Sequence, residues 1–199
     1  CLVIVPAYNE AQNLAKVFEE LKLFFKNILV IDDGSNDASL DIIKKLDIYY
    51  ITHFVNLGQG AALDTGFNFF VNESIFNYVI TFDGDGQNRA IDAKNMIDFA
   101  KKKKLSAVLG TRFKNKENSK EIPFNKKMIL YLGTLYEKIF FNINLSDAHN
   151  GLRVLDKKLV KNHILPIKNF DMNHATEISY KIFKSKCNLA EYPVRVNYY

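Results

Sequence analysis

"VITFDGDGQNRA", residues 79–90, is the stretch on which the reading of this chain turns. Four residues suited to a buried strand, Val79, Ile80, Thr81 and Phe82, run into two carboxylates, Asp83 and Asp85, separated by one glycine. The residues that follow favour a helix. At an effective dielectric near 20, two like charges about 4 Å apart repel by roughly 4 kcal/mol. Such a pair is therefore either splayed into water or shares a cation, and the second alternative makes the stretch an active site.

The surrounding sequence repeats the pattern of apolar run, polar loop and helix. Apolar runs at 2–5, 28–31, 48–54, 78–82 and 107–110 read as strands. Between them Leu14, Val17, Phe18 and Leu21 share one helical face, as do Ile42, Ile43 and Leu46, and further helices are expected over 61–71 and 93–103. Helices alternating with near-continuous apolar strands predict an α/β protein, with a mostly parallel central sheet covered on both faces. The second half reads differently: a polar loop at 114–123, a long amphipathic helix over 124–141, "SDAHNGLRVL" at 146–155, a short helix over 157–164, another over 175–186, and a strand-like ending at 190–199. No repeat or linker divides the chain, so a single domain is expected over 1–199, with 1–111 and 112–199 as its two halves.

Composition narrows the class. The chain has 199 residues, 48% hydrophobic and 25% charged, which is the make-up of a folded globular protein and excludes disorder. No apolar run reaches bilayer length and no leader pattern opens the chain, so a soluble, non-secreted protein is expected. The abrupt, strand-like start at Cys1–Val5 is compatible with further flanking segments. Cys1 and Cys187, the only cysteines, form no CxxC, which argues against a disulfide framework or a thiolate zinc site and suits a reducing compartment. A net charge of +5 favours an anionic partner: a phosphorylated substrate, an acidic membrane surface or nucleic acid. Lys101–Lys104 falls at a helix end and reads as a solvated C-terminal turn.

Ligands of open parallel sheets bind beyond the carboxyl ends of the strands. The first strand ends in "PAYNE" (6–10), the second in "DDGSND" (32–37) and the fourth in "DGDGQ" (83–87). Each is weak alone, since Pro6 can simply stop a strand. Parallel strands bring them to one rim, however, which predicts a cluster of Glu10, Asp32, Asp33, Asp83 and Asp85. In a basic protein, that rim calls for Mg²⁺ or Mn²⁺ shared with a substrate's phosphates. Gly84 and Gly86 allow close backbone approach, and Gln87 offers an amide to metal or phosphate.

"VPAYNE", "VIDDGSND", "NLGQGAALDTG", "DGDGQ", "GTRF" and "DAHNGLRVL", in this order, resemble the family 2 glycosyltransferases of GT-A fold, in the branch that glycosylates polyprenyl phosphates and includes dolichyl-phosphate mannose synthase. The resemblance covers nearly the whole chain. It implies an inverting, metal-dependent hexosyltransferase of cell-envelope glycan or glycolipid synthesis, using a UDP- or GDP-sugar and a polyprenyl phosphate (undecaprenyl or dolichyl) at the inner, cytoplasmic face of a membrane. Carried over by position, Pro6, Ala7, Tyr8, Glu10, Asp33, Gly60, Asp83, Gly84 and Asp85 would take the nucleotide-sugar. Asp83, Asp85 and Gln87 would hold the metal. Two departures stand out: Asn88-Arg89-Ala90 follows Gln87 where relatives often have His or Asp and then Pro, and Gln59 replaces a common Lys.

On the acceptor side, Arg112 of "GTRF" and Arg153 of "DAHNGLR" suit a phosphate through planar bidentate donors, and His174 is a further candidate contact. A saccharide hydroxyl would instead need a base, for which Asp147 is the first candidate. The plainer alternative is a structural ion pair between Asp147 and Arg153. Glu177 either serves a ligand or favours a helix N-terminus. His53 and His163 show no partner spacing. Other readings are weaker: "GQGAAL" lacks the dinucleotide fingerprint and its setting, no P-loop occurs, the absence of tryptophan disfavours processive synthases, and no basic-aromatic motif supports nucleic-acid binding. A sugar nucleotidyltransferase is a second enzyme reading.

Overall fold

The computed structural model describes residues 1–114, 128, 132–135, 138–140, 143–147, 149–171 and 173–197. Most of the expected 114–123 loop and much of the expected 124–141 helix lie outside the described residues, although 128, 132–135 and 138–140 are helical.

Five strands form where the apolar runs predict them: β1 Leu2–Ala7, β2 Ile28–Asp32, β3 Tyr49–Thr52, β4 Tyr78–Thr81 and β5 Ala107–Thr111. A sixth, β6 Arg153–Asp156, was not foreseen, and β7 Leu189–Pro193 closes the sheet. The order is β3-β2-β1-β4-β6-β5-β7. All pairings are parallel except those of β6, which runs antiparallel between β4 and β5. Pro6 does not end β1. It lies beyond Ile4, the last residue that β4 pairs, so its missing N–H disturbs no ladder on that side.

Alternation along the strands sends residues to opposite faces. Val3, Val5, Ile28, Val30 and Ile80 pack against Leu14, Val17, Phe18 and Leu21 of α1 (Ala11–Lys22) and Met96, Ile97 and Ala100 of α4 (Ala90–Lys103), with Ile43 of α2 (Ser39–Lys45) in the same cluster. Leu2, Ile4, Leu29, Ile31 and Val79 face the other way, onto Leu63, Phe67 and Phe70 of α3 (Gln59–Asn72) and Ile178 and Ile182 of α5 (His174–Lys184). The sheet is thus covered on both faces, as its strands require. Helices α3 and α4 each begin two or three residues before the expected start. Residues 157–164 form one α-helical turn followed by a π-helical turn. Among the described residues no helix is long and apolar enough to cross a membrane.

Candidate active site

Because β1, β2 and β4 are parallel, the loops after them open on one rim. A cavity of ≈ 320 Å³ lies there, lined by Pro6, Ala7, Tyr8, Glu10, Asp33, Asn56, Gly58, Gln59, Ala62, Asp83, Gly84 and Asp85. Four carboxylates from three loops therefore share one cavity wall. Asp32 is an exception: it is fully buried, outside the lining, with Oδ1 accepting from the Ser35 amide at 3.4 Å. The rim cluster thus has one acid fewer than expected. Gly60 is also absent from the lining, because α3 turns it toward the chain near residue 170. A Cβ there would lie 2.2 Å from the Asn169 carbonyl oxygen and 2.9 Å from His174 Cβ, so the glycine serves close packing.

Asp83 and Asp85 differ in their surroundings. Asp83 Oδ1 accepts from Gln59 Nε2 at 2.9 Å and Oδ2 from Asn88 Nδ2 at 3.2 Å. A Cβ on Gly151 would come within 2.2 Å of the same Oδ2, so the backbone at 151 presses directly on the carboxylate. Burial first, and the charge of Asp85 second, push the Asp83 carboxyl above its ordinary range, against the pull of Arg153 and of the Asn88 and Gln59 amides. Asp85 accepts from the Gln87 backbone N–H at 2.9 Å through Oδ1. Gln87 meets Asp85 through its main chain and does not line the cavity.

A second, smaller cavity of ≈ 110 Å³ lies on the far side of Asp83 and Gln59, walled also by Leu63, Thr81, His149, Gly151, Arg153, His174 and Ala175. Arg153 opens β6 opposite Thr81 of β4, which brings its buried side chain near Asp83. His174 is buried, and its Nδ1 donates to the Asp171 carbonyl at 2.6 Å. Burial leads, with Arg153 assisting, in lowering its pKa despite that bond. The neutral ring then turns a lone pair, not a proton, outward at Nε2.

Arg112 and Asp147 bind each other. Nε donates to Oδ2 and Nη2 to Oδ1, each at 2.6 Å, and the Arg112 amide adds a third bond to Oδ2 at 3.0 Å. Both residues are buried. Asp147 thus pairs with Arg112 and not with Arg153, the partner of the plainer structural alternative, and Arg112 spends two guanidinium donors on the protein. Both carboxylate oxygens of Asp147 are thus occupied by Arg112 donors, which counts against Asp147 as a base.

The model of glycosyl transferase family 2 matches residues 2–164. The chain belongs to glycosyl transferase family 2. It is 28% identical over 216 aligned positions to the UDP-N-acetylglucosamine–dolichyl-phosphate N-acetylglucosaminyltransferase of Methanococcus voltae, covering 98% of this chain and 85% of that protein. The undecaprenyl-phosphate mannosyltransferase of Micrococcus luteus is 25% identical over 76% of this chain and 64% of its own length. Among solved structures, glucosyl-3-phosphoglycerate synthase from Mycobacterium tuberculosis, in complex with Mn²⁺, UDP and glucosyl-3-phosphoglycerate, superposes with a TM-score of 0.67 at 12% identity, over 99% of this chain and 71% of that one. The fold is GT-A, and the protein is a glycosyltransferase.

In this family 2 chain, no three His, Cys, Asp or Glu among the described residues gather in metal-holding geometry. A cation that completes its shell with ligand phosphates needs only one or two carboxylates. The residues fit such an ion, because Asp83 and Asp85 both line the larger cavity and the nearby charge of Asp85 disfavours that of Asp83 when no cation lies between them.

Residues that sequence reasoning missed come from the loop before α3. Asp33 accepts from the Leu57 amide (Oδ1, 3.1 Å), the Gly58 amide (Oδ2, 2.7 Å) and His53 Nδ1 (Oδ1, 2.7 Å). His53 Nε2 lies 2.9 Å from Thr65 Oγ1 on α3. One carboxylate thus fixes the loop that carries Asn56 and Gly58 into the cavity wall. The signal was "NLGQG", which marked the loop but not the partner of His53.

Proposed function

We propose that this glycosyltransferase moves a sugar, with inversion, from a nucleoside diphosphate sugar to a polyprenyl phosphate. The observation that carries the reading is the pair of cavities sharing Asp83 and Gln59. The larger, carboxylate-lined cavity suits the donor, with Asp85 and Asp83 holding a Mg²⁺ or Mn²⁺ whose charge offsets that of the departing diphosphate. The smaller cavity offers the Arg153 guanidinium to an anionic acceptor. A phosphate monoester with a second pKa near 6 is largely ionised at neutral pH. It attacks the anomeric carbon without a general base, which agrees with Asp147 being engaged by Arg112. In this assignment residues 1–111 supply most of the donor site and 112–199 most of the acceptor site.

The relatives that act on dolichyl and undecaprenyl phosphate support the acceptor class. The net charge of +5 supports work at an anionic, cytoplasmic membrane face. The test is turnover with a panel of UDP- and GDP-sugars, Mn²⁺ and a short-chain polyprenyl phosphate. Nucleotide release that requires both lipid and metal, stops with chelator and gives a product of inverted anomeric configuration is expected. Equal release without the lipid would reject the acceptor assignment.

A further inference from the structure

Asp83 and Asp85 are followed by Gln87 and Asn88, and each of these two residues holds one of the acids. The Gln87 backbone N–H donates to Asp85 Oδ1 at 2.9 Å, and Asn88 Nδ2 donates to Asp83 Oδ2 at 3.2 Å. Both residues are in turn held by a segment far along the chain. Asn88 forms an antiparallel bridge with Val196, and the Gln87 carbonyl accepts from the Asn197 N–H at 2.9 Å. That segment is itself fixed at two further points: the Val194 N–H donates to the Thr111 carbonyl at the end of β5 at 3.0 Å, and the Arg195 N–H to Asp92 Oδ2 in the first turn of α4 at 3.0 Å. Val194, Val196 and Asn88 are all buried. An amide suits the hold on Asp83 in a way that a lysine or arginine would not. It offers the carboxylate an N–H, which fixes the direction of the oxygen, yet it brings no charge to compete with a cation.

We infer that residues 194–197 are a positioning clamp for Asp83 and Asp85, acting through Gln87 and Asn88, and that divalent-ion affinity depends on this clamp. The inference rests on reading the two acids as the ligands of the metal. Like charges turn apart when they are free to do so, and holding them in place beforehand removes that cost from ion binding. Coupling of this kind is reciprocal: a clamp that tightens ion binding is itself tightened by the ion to the same degree.

Hydrogen exchange on the wild-type chain tests the reciprocal half, comparing UDP with Mn²⁺ against UDP with chelator. Amides of 194–197 are expected to slow together with those of 83–88 when Mn²⁺ is present. The direct half is Mn²⁺ uptake in the presence of UDP, read from the paramagnetic resonance signal of the free ion. Asn88→Ala removes the donor to Asp83 and Asn197→Pro removes the N–H that Gln87 accepts from; each is expected to weaken Mn²⁺ about tenfold or more. Tyr78→Phe, which deletes a 3.1 Å bond from the Tyr78 hydroxyl to the Leu105 carbonyl, should melt lower without losing Mn²⁺ affinity, which separates positioning from general destabilisation. Should Asn197→Pro fail to fold, the side-chain truncation at 88 carries the test. A folded Asn88→Ala that takes up Mn²⁺ as tightly as the wild type, or no added protection at 194–197, overturns the inference while leaving the metal-site reading intact. Absence of Mn²⁺ uptake by the wild type overturns both.

Discussion

At the scale of single residues, Asp83 and Asp147 are both acids in or beside the site, yet the structure sets them opposite tasks. Asp83 is held in a position its own charge disfavours. A carboxyl whose pKa is raised on folding contributes stability while protonated, below its unfolded value near 3.9, and loses that contribution as pH rises through the folded value. Asp83→Asn should therefore melt no lower than the wild type at pH 7, show a flatter pH dependence of stability above pH 4, and lose about 100-fold or more in turnover. Thermal melts across pH and steady-state kinetics check the two halves. Asp147→Asn should behave in reverse, because it strands a buried guanidinium: a loss of about 3 kcal/mol or more is expected in denaturant unfolding. A variant as stable as the wild type but slow would restore Asp147 as a base. The sequence marked both acids. It could not reveal that Arg112, 35 positions before Asp147, would claim it, since pairing across that distance is decided by packing.

At the scale of elements, legibility followed local pattern. The strands β1, β2, β4 and β5 were readable because each is a near-continuous apolar run buried in the sheet, and the edge strand β3 was readable from its apolar run although its side chains are largely exposed. β6 was not, because Arg153-Val154-Leu155-Asp156 has only two apolar residues and begins with a buried charge, which the sequence gives no reason to place in a sheet and which lies near Asp83. The loop at 53–58 was legible as a loop, while its anchoring on Asp33 was not. That loop sits close to its surroundings: Gly34, at φ +71°, would place a Cβ 2.5 Å from the Val55 carbonyl carbon, and Gly58, at φ +97°, one 2.2 Å from the Phe170 carbonyl oxygen. Gly58→Ala is expected to cost about 1–3 kcal/mol of stability and to raise the donor KM more than it lowers kcat, as kinetics with saturating acceptor would show.

Across the whole molecule, the larger of the two cavities is braced by residues distant in sequence. Glu177, on the first turn of α5, accepts from the Lys168 and Asn169 amides at 3.0 and 2.8 Å and pairs with Lys181 at 2.6 Å. Burial opposes its ionisation, but the Lys181 bond and the amides from 168 and 169 prevail and bring its pKa to about 2. The residue they steady, Phe170, accepts from the Gly60 amide at 3.1 Å at the start of α3. A depressed carboxyl stabilises above its unfolded pKa, so this contribution is complete above pH 4.5 and fades as pH falls toward 2. Glu177→Gln should lower stability by about 1–3 kcal/mol at neutral pH and narrow the gap to wild type below pH 4, as acid-titrated unfolding will reveal.

The antiparallel placement of β6 has a consequence for anyone seeking to re-engineer acceptor choice. A later stretch of polypeptide is threaded between two earlier ones, so a chimera joined near residue 111 would graft a foreign rib into the middle of the host's backbone ladder. Exchange of lipid preference between homologues is better attempted by transplanting the surface loops while keeping 153–156 and its native neighbours together.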